Sequence, residues 1–311
     1  MLFLPHPTPK PPPMSQSRLL LVDGHAYAYR SFHAIRSLNA PDGSPTNALF
    51  GFIKALQKMV ASTTPSHVLV LWDGGLDADR MSDLPDYKAN RAPTPDALDV
   101  QLPQLAQWLD AAGWPQLQRD GTEADDWIGT YTRLAAEAGW SVIIASPDKD
   151  FLQLVDERVG ILNPNDKSEK IWGPADVEAK TGVPPHQVAD WLALIGDAVD
   201  NIPGVPGVGP KTAADLLKRF GSAEAAIAGA TTLKAEKLRI ELQAAAEAVR
   251  RNQRMVRLKC DLADGPTLHA TTPRERDRAA LREMYRRWGF RSLLAELGDE
   301  PGTAPVQGDL F

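Results

Sequence analysis

Cysteine is nearly missing from this chain: Cys260 is the only one in 311 residues. A single thiol excludes an intrachain disulfide and a cysteine-rich zinc site, and the usage fits a protein of the reducing cytoplasm. No apolar run approaches the ~20 residues of a membrane span, so a membrane is excluded as a partner. The opening stretch, MLFLPHPTPKPPPMSQS, has no apolar segment of signal-peptide type, which argues against secretion by that route. Its prolines read as a disordered tail over residues 1–17, with Met1 and Met14 both open as the start. Histidines are few, and His25, His33 and His67 show no ligand spacing, so each reads as structural. An excess of positive charge is missing too. The net charge is −6, which taken whole argues against a nucleic-acid partner.

What is present reverses that last reading. Nine carboxylates fall in short clusters, and several close apolar β-branched runs. Asp23 follows Arg18-Leu-Leu-Leu-Val22, Asp73 follows His67-Val-Leu-Val-Leu-Trp72, and Asp148 and Asp150 follow Ser141-Val-Ile-Ile-Ala145. Glu123, Asp125 and Asp126 open a helical stretch, and Asp197 and Asp200 lie in GDAVDN. Acids at the carboxyl ends of parallel strands point into one crevice. So many like charges in one place repel unless cations hold them, and an all-oxygen donor set suits Mg²⁺ or Mn²⁺. With those acids neutralised, the remaining surface is slightly basic, and the run from Arg250 to Lys259 is densely so.

Strands over 18–23, 67–72 and 141–145 alternate with helices over 24–35, 46–60, 96–112 and 123–138, a βαβ pattern that predicts a parallel sheet. Thr122-Glu-Ala-Asp125 has the form of a capping box. Residues 159–162 and 169–172 read as a hairpin. From Gly173 the periodicity is helical only, through an alanine-rich stretch and a basic end at 274–296. The expected division is an α/β core over 18–172 and a helical region over 173–297, followed by a flexible tail over 298–311. Within the core, the polar segment at about 74–95 is too long for a simple connection and reads as functional or mobile.

The acids have a plain alternative: an Asp after a strand commonly caps a helix, and acids favour a helix's first turn. Capping explains one such residue far better than it explains the whole set. Glu123 and Asp126, at i and i+3, share a helix face and are expected to address one ion. The segment Gly204-Val-Pro-Gly207-Val-Gly209-Pro-Lys211-Thr212 is not a P-loop, because Pro210 separates the second glycine from the lysine. It reads as a helix–hairpin–helix turn whose backbone N–H groups meet a phosphate at a helix N-terminus; a plain Gly-Pro loop is the bland alternative. Arg80, Lys88 and Arg91 read either as a solvated polar loop or, following Asp73, as phosphate-handling groups, with Tyr87 placed to stack on a base.

Taken in order, LLLVDGHAYAYRSFHA, YKANRAPTP, GTEADD, ASPDKDFLQL and GDAVDNIPGVPGVGPKTAADLL resemble the 5′-nuclease superfamily, most closely the 5′→3′ exonuclease/flap endonuclease domain of bacterial DNA polymerase I. The likeness runs from about Arg18 to Leu297. It implies a twisted, mostly parallel sheet flanked by helices (a PIN-like 5′-nuclease core), a helical arch, and a helix–hairpin–helix subdomain. It also implies two divalent metals that hydrolyse a DNA phosphodiester, in replication and repair. By that resemblance Asp23, Asp73, Glu123, Asp125 and Asp126 make one metal site, and Asp148, Asp150, Asp197 and Asp200 complete the other. Arg80, Lys88 and Arg91 grip the scissile phosphate and the threaded 5′ strand, and the turn from Gly204 to Gly209 binds duplex backbone, often with K⁺. The expected substrate is DNA with a 5′ flap, a nick or a free 5′ end, with an RNA primer strand as a further candidate. A structure-specific DNA-binding protein with little catalysis is the alternative. No polymerase-like segment follows, so the expectation is a stand-alone nuclease, cytoplasmic and nucleoid-associated. The last residues, Gln307-Gly-Asp309-Leu310-Phe311, resemble the pentapeptide that binds the bacterial sliding clamp.

Overall fold

The computed structural model describes residues 17–298. Apolar runs without polar alternation suit strands covered on both faces, and here they form the middle of a six-stranded sheet. In chain order the elements begin with β1 (Arg18–Asp23), α1 (Gly24–Ala34), α2 (Asn47–Thr63), β2 (His67–Trp72), α3 (Ala78–Asp83), α4 (Asp96–Asp99), α5 (Leu102–Ala111) and β3 (Gln116–Gln118). They continue with α6 (Ala124–Glu137), β4 (Ser141–Ala145), β5 (Val159–Leu162) and β6 (Ile171–Trp172). The strand order is β3-β2-β1-β4-β5-β6, parallel throughout except for β6, which runs antiparallel to β5. The chain winds one way from β1 to β3 and the other way from β4 onward. The switch point, where ligands of open α/β sheets bind, therefore lies at the carboxyl ends of β1 and β4, beside Asp23 and Ser146.

Alternate residues of β1 feed two cores. Leu19 and Leu21 face a cluster with α6 and the helices that follow the sheet, whereas Leu20 and Val22 face α1, α2 and α5. After β6 come α7 (Pro174–Thr181), α8 (Val188–Ile195), the two-residue strands β7 (Gly196–Asp197) and β8 (Ile202–Pro203), α9 (Pro210–Phe220) and α10 (Ala223–Ala228). Next are α11 (Glu236–Ala244) and α12 (Ala246–Val256), which with α8 and α9 cover the first face. The last two helices, α13 (Arg278–Trp288) and α14 (Arg291–Leu297), cross to the second face, where Trp108 donates to the Tyr285 hydroxyl and Trp288 donates to Gln104. Among the described residues no helix is long and apolar enough to cross a membrane.

Three local expectations change. The single helix expected over 96–112 is broken into α4 and α5, with Pro103 in the first turn of α5, where a missing N–H costs nothing. β3 has three residues and no apolar run to announce it. The capping box at Thr122 does not form: Thr122 Oγ1 donates to the Arg119 carbonyl, and the Ala124 N–H at the start of α6 is satisfied from outside the helix by Asp73 Oδ1, 2.9 Å away. The segment 74–95 holds only one short helix, α3, followed by turns over 85–90.

Candidate metal centre and nucleic-acid interface

Asp23 ends β1 and both caps α1 and bridges the switch point. Its Oδ1 accepts from the Ala26 N–H at 3.0 Å and its Oδ2 from the Ser146 hydroxyl at 2.9 Å. The cap reading is thus real, but it does not exhaust the residue. Burial, then the charges of Asp73 and Asp148, push the Asp23 carboxyl up to about 7, against the pull of its hydrogen bonds. Asp73 directly follows β2 and is steered by His25. The Asp73 N–H donates to His25 Nδ1 at 3.1 Å, and burial lowers the imidazole pKa, which suits a neutral acceptor. Asp125 is raised well above its ordinary value by burial and by Asp148, Asp23 and Asp73. Asp150 is raised by burial and by Asp148, Asp197 and Asp200, and Asp148 by burial and by Asp200 and Asp197.

Seven carboxylates from five chain segments therefore act on one another electrostatically. Their repulsion is unmet in part: Asp150 Oδ1 is buried without a hydrogen-bond partner, a position that needs a cation or a donor. Among the described residues, no three His, Cys, Asp or Glu side chains yet converge on one metal position. An all-oxygen donor set suits a hard cation that keeps several of its waters.

The cations nearby are held by the same acids. Lys88 is 8 % exposed, in the left-handed region at φ 57°, and its Nζ lies 2.7 Å from Glu123 Oε2 and 4.0 Å from Asp200. Burial opposes its charge, but Glu123, Asp200 and Asp125 more than offset this and raise its pKa. Arg91 lies 2.5 Å from Asp200, and Lys149 lies 3.1 Å from Asp197. The turn carrying Lys88 docks on the GDAVDN loop: the Lys88 N–H donates to the Asp200 carbonyl, Asn90 donates to the Ala198 carbonyl, and Asn201 donates to the Asp86 carbonyl.

Three site expectations are corrected. Asp126 does not join Glu123 at one ion. Its carboxylate is gripped by both terminal nitrogens of Arg80, at 2.7 and 2.8 Å, and accepts the Lys259 N–H at 2.9 Å. Arg80 for the same reason is not an open phosphate contact: it is 4 % exposed, and its Nε donates to the Met255 carbonyl. A fork-on-fork pair out of water is the stable use of both groups. Tyr87 is 4 % exposed, with its hydroxyl donating to Glu123 at 3.1 Å, so it offers no face to a base. Sequence reasoning passed over Ser146 and Lys149; the tight ASPDKD spacing was the available signal.

The glycine-rich turn follows the GDAVDN loop directly, between α8 and α9. Gly207 and Gly209 are exposed, Gly207 at φ +77°, and Lys211 is exposed with Thr212 half-buried behind it. Val205 and Val208 anchor the turn in the first core. Pro210 takes the first position of α9, leaving the helix N-terminus open to solvent. Gly204 is required by proximity, since a Cβ there would meet the Ile195 carbonyl oxygen at 2.2 Å. Gln307, Asp309, Leu310 and Phe311 lie outside the described residues.

Two family models match this arrangement in succession: 5′-3′ exonuclease, N-terminal resolvase-like domain, over residues 18–182, and 5′-3′ exonuclease, C-terminal SAM fold, over residues 183–279. The chain belongs to the 5′-3′ exonuclease family. A 5′-3′ exonuclease of Aquifex aeolicus is 42% identical over 66% of this chain and 71% of its own length. The thermostable DNA polymerase I of Thermus thermophilus is 37% identical over 94% of this chain, which spans only 34% of that polymerase. A bacteriophage T5 flap endonuclease, solved as a pseudo-enzyme-product complex with DNA and metal ions, has the same fold, with a TM-score of 0.65, 22% identity, and coverage of 90% of this chain and 96% of that one.

Proposed function

We propose that this chain is a structure-specific 5′→3′ exonuclease and flap endonuclease, acting on DNA with a 5′ flap, a nick or a free 5′ end in replication and repair. The observation that carries the proposal is the mutual repulsion of buried acids at the β1–β4 switch point, with Asp150 Oδ1 buried and unpartnered. A protein that only bound DNA would gain nothing from that repulsion. Asp23, Asp73, Glu123 and Asp125 would hold one divalent ion, Mg²⁺ or Mn²⁺, and Asp148, Asp150, Asp197 and Asp200 a second. Such ions supply a nucleophilic water and stabilise the leaving oxygen. Lys88 and Arg91, already poised on Glu123 and Asp200, turn to the phosphate as its charge develops. Their present partners are then free to face the metals.

The open turn from Gly204 to Lys211 holds duplex backbone through main-chain N–H groups, with K⁺ as a partner ion. It thereby selects structure rather than sequence. The core ends with β6 and the DNA-binding region begins with α7. A 5′ strand of RNA primer is a second substrate, since backbone contacts do not read bases. The C-terminal Gln307-Gly-Asp309-Leu310-Phe311 docks on a sliding clamp; a chain cut after Val306 then loses clamp binding and keeps activity on free flaps, and equal clamp affinity with and without the tail contradicts the assignment. The nuclease itself is tested on a 5′-labelled flap beside duplex. Mg²⁺-dependent cuts near the junction, abolished by EDTA, support the proposal; cutting that survives EDTA, or none at all, overturns it.

A further inference from the structure

An imidazole sits beside the acids. His25 is the second residue of α1, and its Nδ1 accepts the Asp73 N–H at 3.1 Å. The bond falls where main-chain pairing stops: the β1–β2 ladder ends at Asp23 and Leu71, and the β2–β3 ladder ends at Trp72 and Gln118. Beyond that point side chains take over on both flanks. His25 receives the Asp73 N–H from the β1 side, and Gln118 Nε2 donates to the Asp73 carbonyl at 2.9 Å from the β3 side. A third anchor comes from α6, whose Ala124 N–H donates to Asp73 Oδ1 at 2.9 Å. Among the described residues, Asp73 Oδ2 is left without a hydrogen bond.

The imidazole is itself held. It stands edge-on to Trp72, with ring centroids 5.3 Å apart and planes at 89°, a favoured aromatic geometry. Trp72 is fixed in turn by stacking on Phe52 and by donating its Nε1–H to Gln116 at 3.0 Å. Gly24 lets α1 start this close to β2, since a Cβ there would meet Trp72 Cε3 at 2.6 Å. A main-chain N–H can only donate, so His25 Nδ1 carries no proton and the ring hydrogen is on Nε2. Asp73 needs such anchoring. Its side chain is 39% exposed, and its charge acts on Asp23 and Asp125. With like charges on one side and water on the other, a loosely held carboxylate would turn outward, away from its neighbours.

We propose that His25 is a positioning residue of the metal centre: by accepting the Asp73 N–H where the main-chain ladder has ended, it keeps Asp73 Oδ2 available to a divalent ion. Partners behind a metal's ligands orient them and tune affinity without touching the ion. This rests on the metal-centre reading above and deepens it: a residue that is not a ligand sets part of the affinity of the site that includes Asp73.

The test titrates the full chain with Mn²⁺ alone at one pH, reading the free ion by electron paramagnetic resonance, with flap affinity and Tm measured beside it in EDTA. His25→Phe keeps a ring against Trp72 and removes the acceptor. His25→Ala removes it with a group too small to crowd Trp72. His25→Asn restores an acceptor, placing its Oδ1 where Nδ1 stood. Loss of such a partner weakens metal binding by about 10–100-fold, so the Phe and Ala variants are expected to bind Mn²⁺ at least about tenfold more weakly than wild type, and the Asn variant to recover most of the loss. Flap affinity and Tm in EDTA should stay close to wild type in all three. Wild-type Mn²⁺ affinity in the Phe and Ala variants overturns the proposal, and so does an Asn variant as weak as they are. A fall in flap affinity in EDTA would make His25 a DNA contact, and a collapse of Tm in all three variants would make it a packing residue; either also overturns the proposal. Wild type that takes up no Mn²⁺ overturns the metal-centre reading itself, a result distinct from equal uptake by wild type and variants.

Discussion

Replacing Arg80 by methionine removes a buried cation from the centre of a charged knot. Its guanidinium holds Asp126 through two bonds of 2.7 and 2.8 Å, stands 3.4 Å from Glu123, and donates to the Met255 carbonyl. The Arg80 and Asp126 side chains are 5% and 1% exposed, so solvent does little to screen what is lost. In Arg80→Met the Asp126 carboxylate keeps one donor, the Lys259 N–H, and Glu123 keeps Lys88. Breaking one partner of a buried pair costs about 3–5 kcal/mol, whereas replacing both with apolar groups costs much less. Arg80→Met is therefore expected to lose ~3–5 kcal/mol in metal-free urea unfolding, and Arg80→Met/Asp126→Leu to lose clearly less than the two single changes summed. The midpoint should move with the slope unchanged. An Arg80→Met protein within ~1 kcal/mol of wild type would refute the reasoning. So would an Asp126→Asn protein of unchanged stability whose only defect is weak metal binding, because that is the signature of a ligand and not of a buried ion-pair partner.

Three further outcomes follow from the same geometry. The Asp23 carboxyl is raised from an ordinary 3.8 to about 7 by burial and neighbouring acids, so between those values the folded state holds more protons than the unfolded one and stability falls as pH rises. In EDTA the Tm should then drop between about pH 4 and 7, by about 2–4 °C for each kcal/mol lost, and Mg²⁺ should flatten the slope; a Tm that rises over that range would contradict it. Lys88→Met removes the group poised on Glu123, and flap cleavage is expected to lose about 10²–10³ in kcat with KM changed little; a purely KM-based loss would assign Lys88 to binding. Gly204→Ala places a Cβ 2.2 Å from the Ile195 carbonyl oxygen and 2.7 Å from the Gly196 nitrogen, where no side chain can yield. It should weaken duplex binding measured by anisotropy and lower the Tm, and wild-type values for both would show that this approach is not tight.

The parts of the fold that were legible are those written in local pattern. Runs such as Leu19 to Val22 and Val142 to Ala145 declare doubly covered strands, and acids directly after them mark the strand ends where a parallel sheet opens its crevice. Parallel connections also made Gly173 visible as a change of character, because strand periods cease there. What stayed hidden depends on long-range neighbours. The i, i+3 spacing correctly put Glu123 and Asp126 on related sides of α6, but nothing local says that Arg80, 46 residues earlier, reaches Asp126. Tyr87 looked like a stacking residue because its burial against Glu123 is set by docking of the 86–91 turn on residues 197–201. Ser146 was missed as a support since it matters only through an acid on another strand, whereas His25, read as structural, accepts the Asp73 N–H.

The central claim is that these acids assemble a working metal centre, and Asp148→Ala tests it most directly. Its carboxylate receives the Asp150 N–H at 2.9 Å and shares the field of Asp125, Asp150, Asp197 and Asp200. Flap binding and flap cutting should be measured side by side on wild type and variant with Mg²⁺. The account predicts flap affinity close to wild type and cutting at the junction reduced by at least about 10²-fold, the scale set by loss of electrostatic stabilisation. Undiminished cutting by Asp148→Ala would mean that the chemistry is performed elsewhere in the molecule.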